Sequence, residues 1–360
     1  MVLITLQLGS LALPRQSMQE NWNNCAGKDP ELTISGCSAV IQSGQEKGIN
    51  LTAAFYNRAL AYAHRGDYDH AIEDYNQALR LRPDFANGFY GRGLAYAHKG
   101  ESGHAIQDYD QALRLNPSFS DGFYGRGLAY AHKGDYDNAI RDYDQAIRLN
   151  ASLPNAFYER GLAYAHQGEY DRAIRDYDET LRINPRYEKA LVARGNAYTQ
   201  KGEYDRAIGD YDWALRLNPA SADAFYNRGR ADEYKEDYNG AVADYDQAIR
   251  LKPRDADAFY GRGLAYSKKG DYNRAIQDYD EALRINPTFA DALHNRGVAY
   301  ARKGDYLHAL FDRGRVRWLR LGSLAVRLCI LAFVLTIAFG FAFKRFGKGR
   351  LKDRERLPFS

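Results

Sequence analysis

The chain has 360 residues, 45% of them hydrophobic, which excludes an intrinsically disordered protein and leaves enough apolar material for a substantial core. Its net charge of +4 is unevenly held. Between Arg313 and Ser360 stand 12 Lys/Arg against 2 Asp/Glu, a tail of +10 that leaves −6 for residues 1–312. A mildly acidic body with a basic tail beside an apolar run does not fit a nucleic-acid binder and points the tail at anionic lipid headgroups.

Residues 1–13, MVLITLQLGSLAL, form a short apolar run inside an N-terminal stretch of residues 1–17. It is long enough for the core of a secretory signal, but no basic residue precedes it and no small-x-small site follows. Signal remnant and frayed hydrophobic terminus both remain open. Residues 18–51 come next. Within them Glu31 to Gln42 echoes a helix found further along, with Ile34 and Cys37 in the places of Ile72 and Tyr75, so a half-repeat cap is predicted here. Cys25 and Cys37 lie 12 residues apart; in an oxidising compartment they pair, and otherwise they are two thiols. No C-x-x-C occurs, so neither a zinc ribbon nor a thioredoxin-like redox motif is supported.

From residue 52 to about 320 the sequence repeats. The composition already hints at a repeated unit, with 29 Tyr and 32 Gly against 2 Met. Arg58 recurs every 34 residues as Arg92, Arg126, Arg160, Arg194, Arg228, Arg262 and Arg296, and Gly follows it in all copies but the first, which has Ala59. Phe55, Ala59 and Tyr62 stand at i, i+4 and i+7, one face of a first helix. Gly66 supplies a left-handed stop, and Asp67, acidic in every copy, opens a second helix where negative charge suits the dipole. Ala71, Tyr75 and Ala78 make that helix's apolar face, and Pro83 ends the unit.

The run through Phe89, Gly93, Tyr96, Ala105, Tyr109 and Pro117 resembles the tetratricopeptide-repeat (TPR) signature, as does Phe259, Gly263, Tyr266, Ala275, Tyr279 and Pro287. The resemblance covers residues 52 to 312 in about eight copies. It implies an all-α, right-handed solenoid of 34-residue helical hairpins that binds proteins or peptides in a concave groove. Arg where the family usually has Leu is a departure. The resemblance places part of each first helix in the groove, here Tyr56, Leu60 and His64, then Tyr90, Leu94 and His98, Tyr124, Leu128 and His132, and Tyr158, Leu162 and His166. Tyrosine suits such a surface, offering a large rigid ring and a hydroxyl. The other reading of these tyrosines is packing on neighbouring helices. The N-terminal region resembles that of exported bacterial TPR proteins, which implies a Cys25–Cys37 disulfide.

Other patterns carry less. Gly91-Arg-Gly93 and Gly125-Arg-Gly127 lack the third glycine of a dinucleotide fingerprint and lie inside a helix, so they are read as allowing close helix packing. The histidine column has one member per repeat, about 8–10 Å apart, too far to share a metal ion. The Arg column is matched by Asp74, Asp108, Asp142, Asp176, Asp210, Asp244, Asp278 and Asp312, which predicts structural pairing between neighbouring helices. Two units are irregular. The sixth has Asp232 for the turn tyrosine and Glu236 for the turn glycine, read as a local softening of the stack, with a binding feature as the other reading. The eighth has Arg313 for its second aromatic and Leu321 for its proline.

Leu321 to Phe343 contains one charge, Arg327, and as a helix would run about 34 Å, enough to cross a bilayer. Four basic residues precede it (Arg313, Arg315, Arg317, Arg320) and seven follow in the tail 344–360, a bias toward a cytoplasmic tail with the repeats outside, periplasmic in a bacterium. No catalytic constellation stands out and no non-repeat segment is long enough for an enzyme domain, so neither catalysis nor a cofactor or metal is expected. The sequence reads as a membrane-tethered scaffold for protein interaction, or alternatively as a regulatory or targeting subunit of an enzyme or envelope assembly machine.

Overall fold

The computed structural model describes residues 17–317. The apolar run 1–13, the predicted membrane helix 321–343 with Cys329 and the tail 344–360 lie outside them. Among the described residues no helix is long and apolar enough to cross a membrane.

The chain divides into two compact units, residues 1–201 and 202–360. The first holds α1 (Met18–Cys25), α2 (Pro30–Gln42), α3 (Gly48–His64), α4 (Tyr68–Leu81), α5 (Ala86–His98), α6 (Ser102–Leu115), α7 (Ser120–His132), α8 (Tyr136–Leu149), α9 (Pro154–His166), α10 (Tyr170–Ile183) and α11 (Glu188–Gln200). The second holds α12 (Tyr204–Leu217), α13 (Ala222–Tyr234), α14 (Tyr238–Leu251), α15 (Ala256–Lys268), α16 (Tyr272–Ile285) and α17 (Ala290–Arg302), followed by helical residues 306–317. Each unit is a stack of helical hairpins.

One turn geometry builds the hairpins. Gly66 sits at φ 78°, in the left-handed region that costs other residues about 1–2 kcal/mol. Its N–H donates to Ala63 O at 3.0 Å and that of Asp67 to Tyr62 O at 2.9 Å, closing the first helix in a Schellman-type cap. The Asp67 carboxylate then accepts from the His70 N–H, capping the second helix. Asp135, Asp237 and Asp271 cap in the same way, whereas Glu101, Glu169 and Glu203 make no side-chain cap. The extra methylene of Glu takes its carboxylate past the N–H that Asp reaches.

The core is a column of tyrosines from the second helices. In the first unit Tyr75, Tyr109, Tyr143 and Tyr177 are buried, and in the second Tyr211, Tyr245 and Tyr279. The Gly-Arg-Gly tripeptides exist for them. A Cβ on Gly91 would stand 2.7 Å from the Tyr75 hydroxyl of the preceding hairpin, and one on Gly93 would stand 2.9 Å from Tyr109 of its own. The two glycines therefore let one helix pass between two tyrosine tips.

The arginine between them is the stack's polar rivet. Arg92 Nε and Nη2 donate to Asp108 at 2.8 and 2.6 Å, and Nη1 reaches back to Asn76 of the preceding hairpin. Arg126 grips Asp142 and reaches Asp110; Arg160 grips Asp176 and reaches Asp144. In the second unit Arg228 and Arg262 do the same with Asp244 and Asp212, and with Asp278 and Asp246. Each guanidinium also lies over the Phe three residues earlier, at 5.5 Å for Arg92 and Phe89. The predicted pairing is present, and the third nitrogen adds the link between hairpins that a leucine could not make.

Three expectations change in detail. The predicted half-repeat at 18–51 is a complete, short helix pair, because the Ser17 side chain accepts from the Glu20 N–H and starts α1 ahead of α2. The array begins at Gly48 rather than residue 52. The sixth hairpin keeps its turn: Glu236 adopts φ 64° and Asp237 still caps α14. In the cap Cys25 and Cys37 are joined as a disulfide and pack with Val40 and Ala54.

Candidate functional site

In the first unit the first helices of successive hairpins, α3, α5, α7 and α9, touch in a row. They set the predicted triples side by side. Tyr56, Tyr90, Tyr124 and Tyr158 are half-buried, Leu60, Leu94, Leu128 and Leu162 likewise, and His64, His98, His132 and His166 are exposed.

The tyrosines pack and face outward at once. Tyr90 lies 5.8 Å from the core ring of Tyr109 and 4.8 Å from Phe119 of the next connection. Tyr56 pairs likewise with Tyr75 and Phe85, and Tyr158 with Tyr177 and Tyr187. Burial pushes the Tyr90 and Tyr158 hydroxyls up to about 12 and raises those of Tyr56 and Tyr124, so all four stay neutral hydrogen-bonding groups. Each ring is thus packed on one side and open on the other.

The histidines differ in their surroundings. His98 stacks on Tyr68 at 5.0 Å and His166 on Tyr136 at 4.8 Å, each ring lying on the start of the preceding hairpin's second helix. His132 has Ser102 where that tyrosine would stand, and His64 faces the N-terminal cap beside Gly27 and Thr33. Among the described residues no group of three or more His, Cys, Asp or Glu side chains could hold a metal ion.

Two carboxylates escaped the sequence reading. Glu159 follows Tyr158 where Gly91 and Gly125 follow theirs, and burial lifts its carboxyl above the usual range. In the second unit Glu233 stands where other hairpins have Ala, Ser or Thr. Burial raises it too, and it accepts a hydrogen bond from Tyr245 Oη at 3.2 Å. Here the stripe is altered to Tyr226, Arg230 and Tyr234, with the Arg230 guanidinium about 6 Å from both rings. The available signal was departure from the repeat: a charged residue at a column otherwise uncharged marks a place where packing alone does not choose the residue.

Hairpins of fixed length, riveted by arginine and closed by left-handed turns, define a helical repeat protein. A family model described as TPR repeat matches residues 59–100, 128–168, 195–232, 234–270 and 265–304, and a second, described as tetratricopeptide repeat, matches 86–119 and 154–187. The chain belongs to the tetratricopeptide-repeat family. No curated protein matches its sequence. Among solved structures it is similar to the C-terminal part of a TPR repeat-containing protein from Cytophaga hutchinsonii, with 21% identity, 66% of this chain and 98% of that chain covered, and a TM-score of 0.55. A tetratricopeptide repeat protein from Parabacteroides merdae is 19% identical over 72% of this chain and 98% of that one, with a TM-score of 0.54. The APC/C hetero-tetramer Cut9-Hcn1 matches at 19% identity over 75% of this chain and 52% of that one, with a TM-score of 0.55. At such identities the likeness is one of fold.

Proposed function

We propose that this protein is a membrane-tethered scaffold that binds protein or peptide partners on the open face of its first helices and does no chemistry of its own. The observation that carries the reading is the row of half-exposed tyrosines and leucines on α3, α5, α7 and α9, held by a packed core beneath. Rigid aromatic rings with a free edge and a neutral hydroxyl gain contact area at little cost in conformational entropy. A partner peptide, lying along the row, would meet the same triple at each hairpin. The tether is the apolar stretch 321–343, flanked by basic residues on both sides. The charge bias favours a cytoplasmic tail with the repeats on the periplasmic or outer side. A scaffold that recruits one enzyme or envelope machine, and so serves as its regulatory or targeting subunit, is the same binding mode with a dedicated partner.

One preparation tests both halves. Full-length protein in membranes should resist extraction by alkaline carbonate, while a chain ending before Gly314 should be released. From solubilised membranes, the Tyr90→Ala, Tyr124→Ala, Tyr158→Ala triple variant should lose partners that the wild type retains, with helicity unchanged in circular dichroism. Extraction of the full-length chain would remove the tether. Unfolding of the triple variant would make the rings core and end the reading of that face.

A further inference from the structure

The position after the stripe tyrosine is where each first helix passes the tyrosine tip of the preceding hairpin. A Cβ on Gly125 would meet Tyr109 Cζ at 2.9 Å, and one on Gly261 would meet Tyr245 Cζ at 2.6 Å. In the fourth hairpin this position is Glu159, and the tyrosine facing it is Tyr143. The Tyr143 ring is completely buried, and its hydroxyl has no hydrogen-bond partner among the described residues. Among those residues Glu159 likewise has no hydrogen bond and no ion pair, although Lys189 acts on it at longer range. A half-buried carboxylate with no hydrogen-bonding side chain of its own thus lies near a fully buried, unsatisfied hydroxyl. Such groups cost free energy unless something answers them.

The surroundings say what would answer. Tyr158 precedes Glu159 in the chain, Tyr124 packs on the Tyr143 ring at 6.0 Å, and Tyr187 packs on Tyr158 at 5.2 Å. Burial first, and then the Glu159 charge, raises the hydroxyls of Tyr124, Tyr158 and Tyr187. Aromatic faces around one carboxylate attract a cation, by ring quadrupole and by charge together. The second unit provides the contrast. There Glu233 accepts the Tyr245 hydroxyl and has Arg230 and Lys268 acting on it, so the chain answers that carboxylate itself.

We propose that Glu159, with Tyr124, Tyr158 and Tyr187, forms a pocket on the first unit's open face that takes a lysine or arginine side chain of the bound partner. The inference rests on the scaffold reading of that face and adds the charge of the ligand. The cation would pair with the carboxylate, lie against the rings and leave Glu159 free to accept from the Tyr143 hydroxyl.

The test uses the full-length protein in detergent micelles and a fluorescent peptide of alternating lysine and alanine, read by anisotropy at fixed ionic strength. A second peptide carries acetyl-lysine throughout. The wild type should bind the lysine peptide about tenfold more tightly than the acetylated one, the scale of one charged hydrogen bond. Glu159→Gln should lose about that factor for the lysine peptide alone, with no fall in melting temperature. Glu73→Gln, which removes the same charge from an exposed site on α4, should bind as the wild type does. Failure of the wild type to prefer the lysine peptide overturns the pocket. So does equal weakening by Glu73→Gln, which would reduce the effect to the body's acidic charge. A drop in melting temperature for Glu159→Gln would make that residue structural and also overturn it. Partners captured through the tyrosine stripe yet indifferent to Glu159→Gln would remove the pocket and leave the scaffold reading standing.

Discussion

Arg126 shows how much one side chain carries in a repeat protein. Its guanidinium holds Asp142 with two hydrogen bonds and Asp110 of the preceding hairpin with a third, over the ring of Phe123. The hydrogen bonds it donates to Asp142 push its ionisation further up. Such a pair need not stabilise the fold more than apolar residues would, but losing one partner leaves a buried charge alone. Arg126→Leu, restoring the residue usual in the family, should therefore cost about 3–5 kcal/mol in urea denaturation. The double change Arg126→Leu, Asp142→Leu should recover most of that, since Asp110 is exposed enough to be solvated. A single variant within about 1 kcal/mol of the wild type would mean that the network is an ornament of the surface.

At the scale of the hairpin, the irregular sixth unit is the instructive one. Its turn survives without glycine because the hydrogen bonds that close it come from the backbone: Glu236 N–H to Glu233 O and Asp237 N–H to Asp232 O, both at 2.9 Å. What changes is electrostatic. Asp232 stands in place of the turn tyrosine, and burial, then Asp244 and Asp237, push it up to about 6 from an ordinary value of 3.8. The folded state therefore holds this proton more tightly than the unfolded chain. Stability from this group rises as pH falls through about 6 toward 4 and is lost above it. Asp232→Asn should raise the melting temperature at about pH 7.5, and the gap to the wild type should close toward about pH 4.5. A gap that is constant with pH would show that Asp232 ionises normally.

For the whole molecule the linked questions are redox state and sidedness. The Cys25–Cys37 disulfide closes a 12-residue separation within the N-terminal helix pair, which covers α3. A loop of that size is worth about 2–3 kcal/mol to the cap. It would persist only in an oxidising space, where the proposed topology puts the repeats. In spheroplasts, a thiol reagent that cannot cross membranes should label Cys25 and Cys37 only after reduction. Labelling without reduction would remove the disulfide and keep the orientation, and labelling only after lysis would put the repeats in the cytoplasm.

The sequence by itself determined the hairpin, its period and its turns, because these depend on local chemistry that recurs from copy to copy: a glycine stop in all but the sixth, an acidic cap, alanines and tyrosines at helical spacing. Even the use of the Gly-Arg-Gly tripeptides for close packing followed from their place inside a helix. The sequence also showed Arg and Asp columns 16 residues apart, but not that each arginine holds two hairpins at once. That depends on where the preceding hairpin presents Asn76, Asp110 or Asp144. The tyrosine stripe was legible as a stripe. How much of each ring stays open was decided by Phe85, Phe119 and Tyr187, which arrive from the next connection. Glu159 was visible only as an irregularity. It became a candidate site once packing put it against the buried Tyr143 hydroxyl with no cation paired to it, because the cost of a charge depends on what surrounds it in space rather than on its neighbours in sequence.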